Sequence, residues 1–201
     1  MAESGTIRCF IAIELPAEVL RTLADLQMRL GKGSDRAAKW VVPEGIHLTL
    51  KFLGDTPAGQ VAAVTDAMRR VAEQHAPLAL SLAGAGCFPD AGRPRVIWAG
   101  LAGDLARLSA LQDGMQSAMA GLGFVREARA FTPHLTLARM RDLAPTEDLR
   151  RLGSAVSALQ VPRVALVANE VALIRSDLLP SGAVYTILAR APLAGTKASG
   201  S

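Results

Sequence analysis

The chain has 201 residues, 50% of them hydrophobic and 20% charged, with a formal net charge of +4. That is enough apolar material for one large core or two small lobes, and it excludes a disordered chain. The longest mostly apolar stretch, "APLALSLAGAGCF", is too short and too broken by Ser and Gly to span a bilayer, and 4% aromatic residues excludes an extended base-stacking platform for long single strands.

The opening "MAESGTIRCFIAIELP" has an acidic residue where a signal peptide wants a basic one, and Glu14 and Pro16 cut its apolar run short. A cytoplasmic location without membrane association is therefore expected. Within this stretch "RCFIA" from Arg8 reads as a buried strand, and Leu20, Leu23 and Leu30 mark the apolar stripe of a following helix. "HLTL" from His47 alternates as a strand, with His47, Thr49 and Lys51 on one face and Leu48, Leu50 and Phe52 on the other. Thr56 and Pro57 then read as the cap of a helix striped by Val61, Val64, Met68 and Val71. "LALSLAGAG" from Leu78 and "RVIWA" from Arg95 are strands, and Leu105, Leu108, Leu111, Met115 and Met119 form the next helical stripe. The tetrapeptide HLTL returns at His134 to Leu137, where His134 and Thr136 oppose Leu135 and Leu137. Thr146, Glu147 and Asp148 open a helix striped by Leu149, Leu152, Val156 and Leu159. "VALVANEVALI" from Val164 and "AVYTILA" from Ala183 close the chain as strands, and "GTKASGS" reads as a disordered tail.

The second HLTL lies 87 residues after the first, and the flanking elements fall into line at the same offset, "RCFIA" over "RVIWA" included. Chance is a poor explanation. Thr is ten of 201 residues and His only three, so two histidines each followed by Thr two places on is an event of below roughly one in a hundred. The expected fold is α+β, with two pseudo-symmetric lobes, each an antiparallel sheet with helices on its outer face, and a cleft between them. One bilobal domain over 1–194 is expected, with pseudo-repeats at about 7–87 and 94–174 that share strands, and a tail at 195–201.

A two-fold between the lobes would turn the two histidine faces toward each other. Two imidazoles flanking one bound group suit in-line displacement at phosphorus, where incoming and departing oxygens lie roughly opposite. A neutral histidine takes a proton from the attacker while a protonated one gives a proton to the leaving oxygen, which implies a bell-shaped pH profile. Thr49 and Thr136 are placed to donate hydrogen bonds to non-bridging phosphate oxygens. The scheme requires no metal and no cofactor.

The blocks "RCFIAIELP", "HLTLKFLGD", "PRVIWAGL", "FTPHLTLAR" and "LIRSDLLPSGAVYTIL" resemble, in the same order, those of the 2H phosphoesterase superfamily. The closest resemblance is to its bacterial and archaeal RNA 2′,3′-cyclic phosphodiesterases, also called 2′-5′ RNA ligases. That resemblance implies metal-independent opening of a 2′,3′-cyclic phosphate to a 2′-phosphomonoester, with reverse ligation as a minor activity. It also implies that His47 is the proton donor to the departing 3′ oxygen and His134 the acceptor that activates water. The symmetric tetrapeptides themselves do not distinguish donor from acceptor. Phe52 matches a family position that stacks on a nucleobase, although alternation turns it toward the core. Arg139 is a candidate fork of donors for phosphate, which needs a bulge to reach the histidine face. Lys51 is a candidate at the cleft rim, whereas Trp40 and Trp98 read as core and His75 as a solvated residue after a helix.

The partner expected is therefore an RNA with a 2′,3′-cyclic phosphate end or a small cyclic nucleotide, bound by a monomer. A non-catalytic RNA-end binding module is the alternative for a basic two-lobed chain. A zinc hydrolase needs about three protein ligands, which no HxxxH or HxxE spacing supplies. No GxxxxGK[ST] segment supports an ATP-driven ligase. Cys9 and Cys87 sit in apolar runs and read as buried small hydrophobes.

Overall fold

The computed structural model describes residues 5–31, 36–180 and 182–196. Its elements run β1 (Thr6–Ile13), α1 (Ala17–Gly31), β2 (Ala38–Trp40), β3 (Leu48–Pro57), α2 (Val61–Ala72), β4 (Leu78–Phe88) and β5 (Val96–Gly103), then α3 (Leu105–Ala120), β6 (His134–Met140), α4 (Thr146–Ser157), β7 (Ala165–Ala168), β8 (Glu170–Leu179) and β9 (Gly182–Pro192). The class is α+β. One antiparallel sheet has the order β3-β1-β8-β9 and the other β2-β6-β5-β4-β7.

The halves exchange elements. Strand β4 comes from the first half yet pairs with β5, while β8 comes from the second half and pairs with β1. Helices cross over as well: α2 and α3 pack against β3, β8 and β9, whereas α4 packs against β4 and α1 against α4. Each lobe is thus closed by both halves, and one main core runs through the molecule, from Ile11, Leu23 and Met68 to Leu108, Met115 and Leu135. The leucines of both tetrapeptides belong to it, Leu48, Leu50, Leu135 and Leu137 each being no more than 2% exposed. Burying a leucine is worth about 1.5–3 kcal/mol, so these four fix which face of each strand is left to the histidine and threonine.

Three local readings are corrected by the ladders. Thr56 does not cap a helix. It lies inside β3 opposite Ile7, fully buried, and its hydroxyl donates to the Gly54 carbonyl at 3.2 Å; α2 starts only at Val61, after a 3-10 turn. "VALVANEVALI" is two strands that part at Asn169, β7 pairing with β4 in one sheet and β8 with β1 in the other. His75 is half-buried, and its carbonyl accepts the Gly195 N–H at 3.1 Å, which ties down the start of the expected tail; residues 197–201 lie outside the described residues. Cys9 and Cys87 are buried free thiols, pushed up in pKa chiefly by that burial. Among the described residues no helix is long and apolar enough to cross a membrane.

Candidate active site

Each HLTL strand carries a β-bulge one residue after its threonine. In β3, Thr49 pairs with Ala12 and Lys51 with Ile11, leaving Leu50 as the extra residue. In β6, Thr136 pairs with Trp98 and Ala138 with Ile97, leaving Leu137 as the extra residue, 87 places after Leu50. A bulge puts two consecutive residues on one face and reverses the alternation beyond it. Leu50 and Lys51 are therefore both buried at 2% exposure, and Leu137 and Ala138 both at 0%.

The reversal decides the fate of three candidates. Phe52 is brought onto the histidine face, 55% exposed and opposite Phe10. Arg139 is brought onto the corresponding face of β6, exposed and opposite Val96. Lys51 is carried away from it, which corrects its reading as a rim residue. Its Nζ donates to the Val125 carbonyl at 2.6 Å and lies 3.9 Å from Glu127 Oε1. Burial lowers the Lys51 pKa, with Glu127 pulling the other way. Lys51 holds the 125–127 segment against β3.

His47 sits just before β3, its ring stacked on Phe10 at 4.5 Å between centroids and met edge-on by Tyr185 at 5.2 Å. Enclosure by these rings pushes its pKa down to about 4, partly opposed by a hydrogen bond to the Gly45 carbonyl. His134, half-buried at the start of β6, is hydrogen-bonded through Nδ1 to the Thr132 carbonyl at 2.7 Å. A carbonyl only accepts, so Nδ1 carries the hydrogen and Nε2 of the neutral ring keeps its lone pair. Both rings are thus anchored on the carbonyl two residues earlier. Thr49 and Thr136 are half-buried on the same faces, and neither hydroxyl has a hydrogen-bond partner among the described residues.

Aromatic rings wall both sides. Phe10, with Ala12, Ala172 and Ile174, forms a small buried cluster separate from the main core, on the histidine face of its sheet. In the other lobe Phe88 meets His134 edge-on at 5.0 Å and lies 5.2 Å from Trp98. Trp98 is not core, contrary to its sequence reading: it lies opposite Thr136 and over Gly86, where an added Cβ would come within 2.4 Å of its ring. Only glycine leaves room for that indole. Trp40 does pack against the main core. The sequence reading did not single out Phe10, Tyr185 or Phe88, because each stands in an apolar run that looks the same whichever face it presents. Strands β3 and β6 are in direct contact across the lobes. Among the described residues no group of three or more His, Cys, Asp or Glu side chains could hold a metal ion.

Two lobes of antiparallel sheet, each carrying one His-x-Thr strand and with the two strands in contact, are the architecture of a two-lobed phosphoesterase. The sequence pattern of the LigT-like phosphoesterases matches the chain twice in succession, over residues 13–98 and 101–185. The chain belongs to that family. It is 32% identical over 180 residues to an RNA 2′,3′-cyclic phosphodiesterase of Methanothermobacter thermautotrophicus, covering 90% of this chain and 95% of that one. An RNA 2′,3′-cyclic phosphodiesterase of Thermus thermophilus is 34% identical over 194 residues, or 94% and 91% of the two chains. A Thermus thermophilus crystal structure superposes with a TM-score of 0.77 at 32% identity, over 94% of this chain and 100% of that one. E. coli LigT in complex with 3′-AMP superposes with a TM-score of 0.72 at 27% identity, over 94% and 98%.

Proposed function

We propose that this enzyme hydrolyses the 2′,3′-cyclic phosphate at an RNA end to a 2′-phosphomonoester without a metal, using His47 and His134 as acid and base. The single observation that supports it most is the duplicated site: the same imidazole, hydroxyl and bulge on two strands in contact with each other. His134 has its Nδ1–H committed to Thr132, which leaves Nε2 to take the proton of an attacking water. As water oxygen bonds to phosphorus, the bond to the 3′ oxygen breaks, and His47 gives its proton to that oxygen. The products are a 2′-monoester and a free 3′ hydroxyl, and the two rings return to their starting forms by exchange with solvent. The Thr49 and Thr136 hydroxyls donate to the non-bridging oxygens.

His47 is neutral in the free protein, since its pKa is about 4. A phosphate anion beside it favours the charged form, so the substrate itself recruits the acid. The two walls suit different parts of the substrate: Phe52 and Tyr185, 55% and 38% exposed, offer faces to the base, and Arg139 offers a donor fork to phosphate. A 5′ hydroxyl in place of water gives the 2′-5′ ligation by the same proton transfers. One chain supplies both histidines, so a monomer suffices.

An oligonucleotide ending in a 2′,3′-cyclic phosphate tests the reading. The expected product is the 2′-monoester, formed at the same rate after exhaustive chelation. A 3′-monoester, a rate abolished by chelator, or tight binding without turnover contradicts it.

A further inference from the structure

We propose that Gln27 is a positioning residue that locks the His47 and His134 strands to each other, with Gln112 in the corresponding role at the other bulge. Gln27 lies on α1, 8% exposed, among side chains that are otherwise apolar. Its amide nitrogen donates to the Val41 carbonyl at 2.7 Å and to the Leu137 carbonyl at 2.9 Å. Leu137 is the bulge residue of β6, next to Thr136 and three residues after His134. Val41 leads into the 3-10 turn Pro43–Gly45, whose last carbonyl holds the His47 ring, and its own N–H also donates to Leu137 at 2.9 Å. One amide group therefore ties the segment feeding His47 to the strand carrying His134 and Thr136.

Gln112 does the matching work on β3. It lies on α3, is 8% exposed, and its Nε2 donates to the Leu50 carbonyl at 3.3 Å, the bulge residue next to Thr49. Both bulges thus receive a buried glutamine from the crossed-over helix, α1 meeting β6 and α3 meeting β3. A bulge disrupts its ladder, and the amides add donors there: the Leu137 carbonyl accepts from Gln27 as well as from the Val41 N–H, so the glutamine supplements a carbonyl that is already paired and joins it to the Val41 carbonyl. Packing alone does not call for an amide at these positions, since methionine fills the same volume. What the amide adds is register. If the bulge relaxed into regular alternation, every residue beyond it would change face, Phe52 and Arg139 included.

The inference rests on the proposed hydrolysis for its kinetic readout, and a second readout is independent of it. Gln27→Met should lower kcat on a nucleoside 2′,3′-cyclic phosphate by about 10- to 100-fold with KM within about threefold, because misplacing reacting groups by an ångström costs up to about 10²-fold. Val19→Ala, a buried change on the same helix away from the bulges, should lower the melting temperature yet leave kcat within about threefold. In NMR spectra, the His47 and His134 imidazole resonances should move in Gln27→Met and stay in place in Val19→Ala. Gln112→Met, read the same way, stands in if Gln27→Met does not fold. The proposal is overturned if the glutamine variant keeps kcat within threefold of the parent, if Val19→Ala loses as much kcat, or if the imidazole resonances do not move. Should the parent turn over no cyclic phosphate, the function reading fails, and the resonances alone decide on positioning.

Discussion

Replacing either histidine by alanine is expected to cut turnover of a nucleoside 2′,3′-cyclic phosphate by about 10²- to 10⁴-fold, the share usually carried by a positioned acid or base. The double replacement should cost little more than the worse single one, because the two rings serve one concerted displacement and removing either disables both. The fold should survive. His134 lies at the start of its strand, its ring hydrogen-bonded to the Thr132 carbonyl two residues back and met edge-on by Phe88, and Leu135 and Leu137 hold β6 in the core without it. His47 is packed between Phe10 and Tyr185, so His47→Ala leaves a gap and should lower the melting temperature more than His134→Ala. His47→Gln retains much of the volume and separates packing from proton transfer. Steady-state kinetics with melting curves on all four variants check this. Turnover within about tenfold of the parent in either alanine variant would remove that ring from the chemistry.

Thr49→Val and Thr136→Val are the second pair with a large expected effect. Valine has the shape of threonine and keeps its strand preference, so only the hydroxyl is lost. A hydrogen bond to a charged group is worth about 1.5–3 kcal/mol, which predicts a loss of roughly 10- to 150-fold in kcat/KM for each. In the free protein neither hydroxyl has a partner among the described residues, so stability should hardly change. The single losses should multiply, since each hydroxyl donates from its own side. Kinetics of the two single variants and the double variant measure this, and losses confined to stability would show that the hydroxyls do not meet substrate.

How much of this site was readable in advance can be seen from particular residues. The alternation His47, Leu48, Thr49, Leu50 sorted itself correctly because strict period-two geometry holds up to the bulge. Beyond Leu50 and Leu137 it fails, and Lys51, Phe52 and Arg139 all change face there. A bulge depends on the partner strand and on buried glutamines from distant helices, so no local pattern announces it. Trp98 was misplaced for a related reason. Sliding "RCFIA" over "RVIWA" by 87 sets Trp98 over the core residue Ile11. In the ladders Phe52 faces Phe10 and Arg139 faces Val96, so the true offset in this strand is 86, and Trp98 corresponds to Ala12, which belongs to the small cluster on the histidine face and not to the main core. One residue of slip exchanges the main-core face and the histidine face. Likewise "VALVANEVALI" is apolar on both sides of Asn169 and Glu170, yet β7 is buried on one face only, with Val167 55% exposed, while Val171 to Ile174 are all buried in the other sheet; a polar pair inside an apolar run does not by itself say that the chain changes sheets there.

The central claim is that both rings reach one phosphate, and an NMR titration of the imidazole resonances with inorganic phosphate addresses it most directly. The account predicts that His47 and His134 shift together with a single dissociation constant, and that the His47 pKa rises from about 4 as the anion saturates the site, because a negative charge stabilises the imidazolium. A shift in one ring only, separate affinities for the two, or a His47 pKa unmoved at saturation would contradict it.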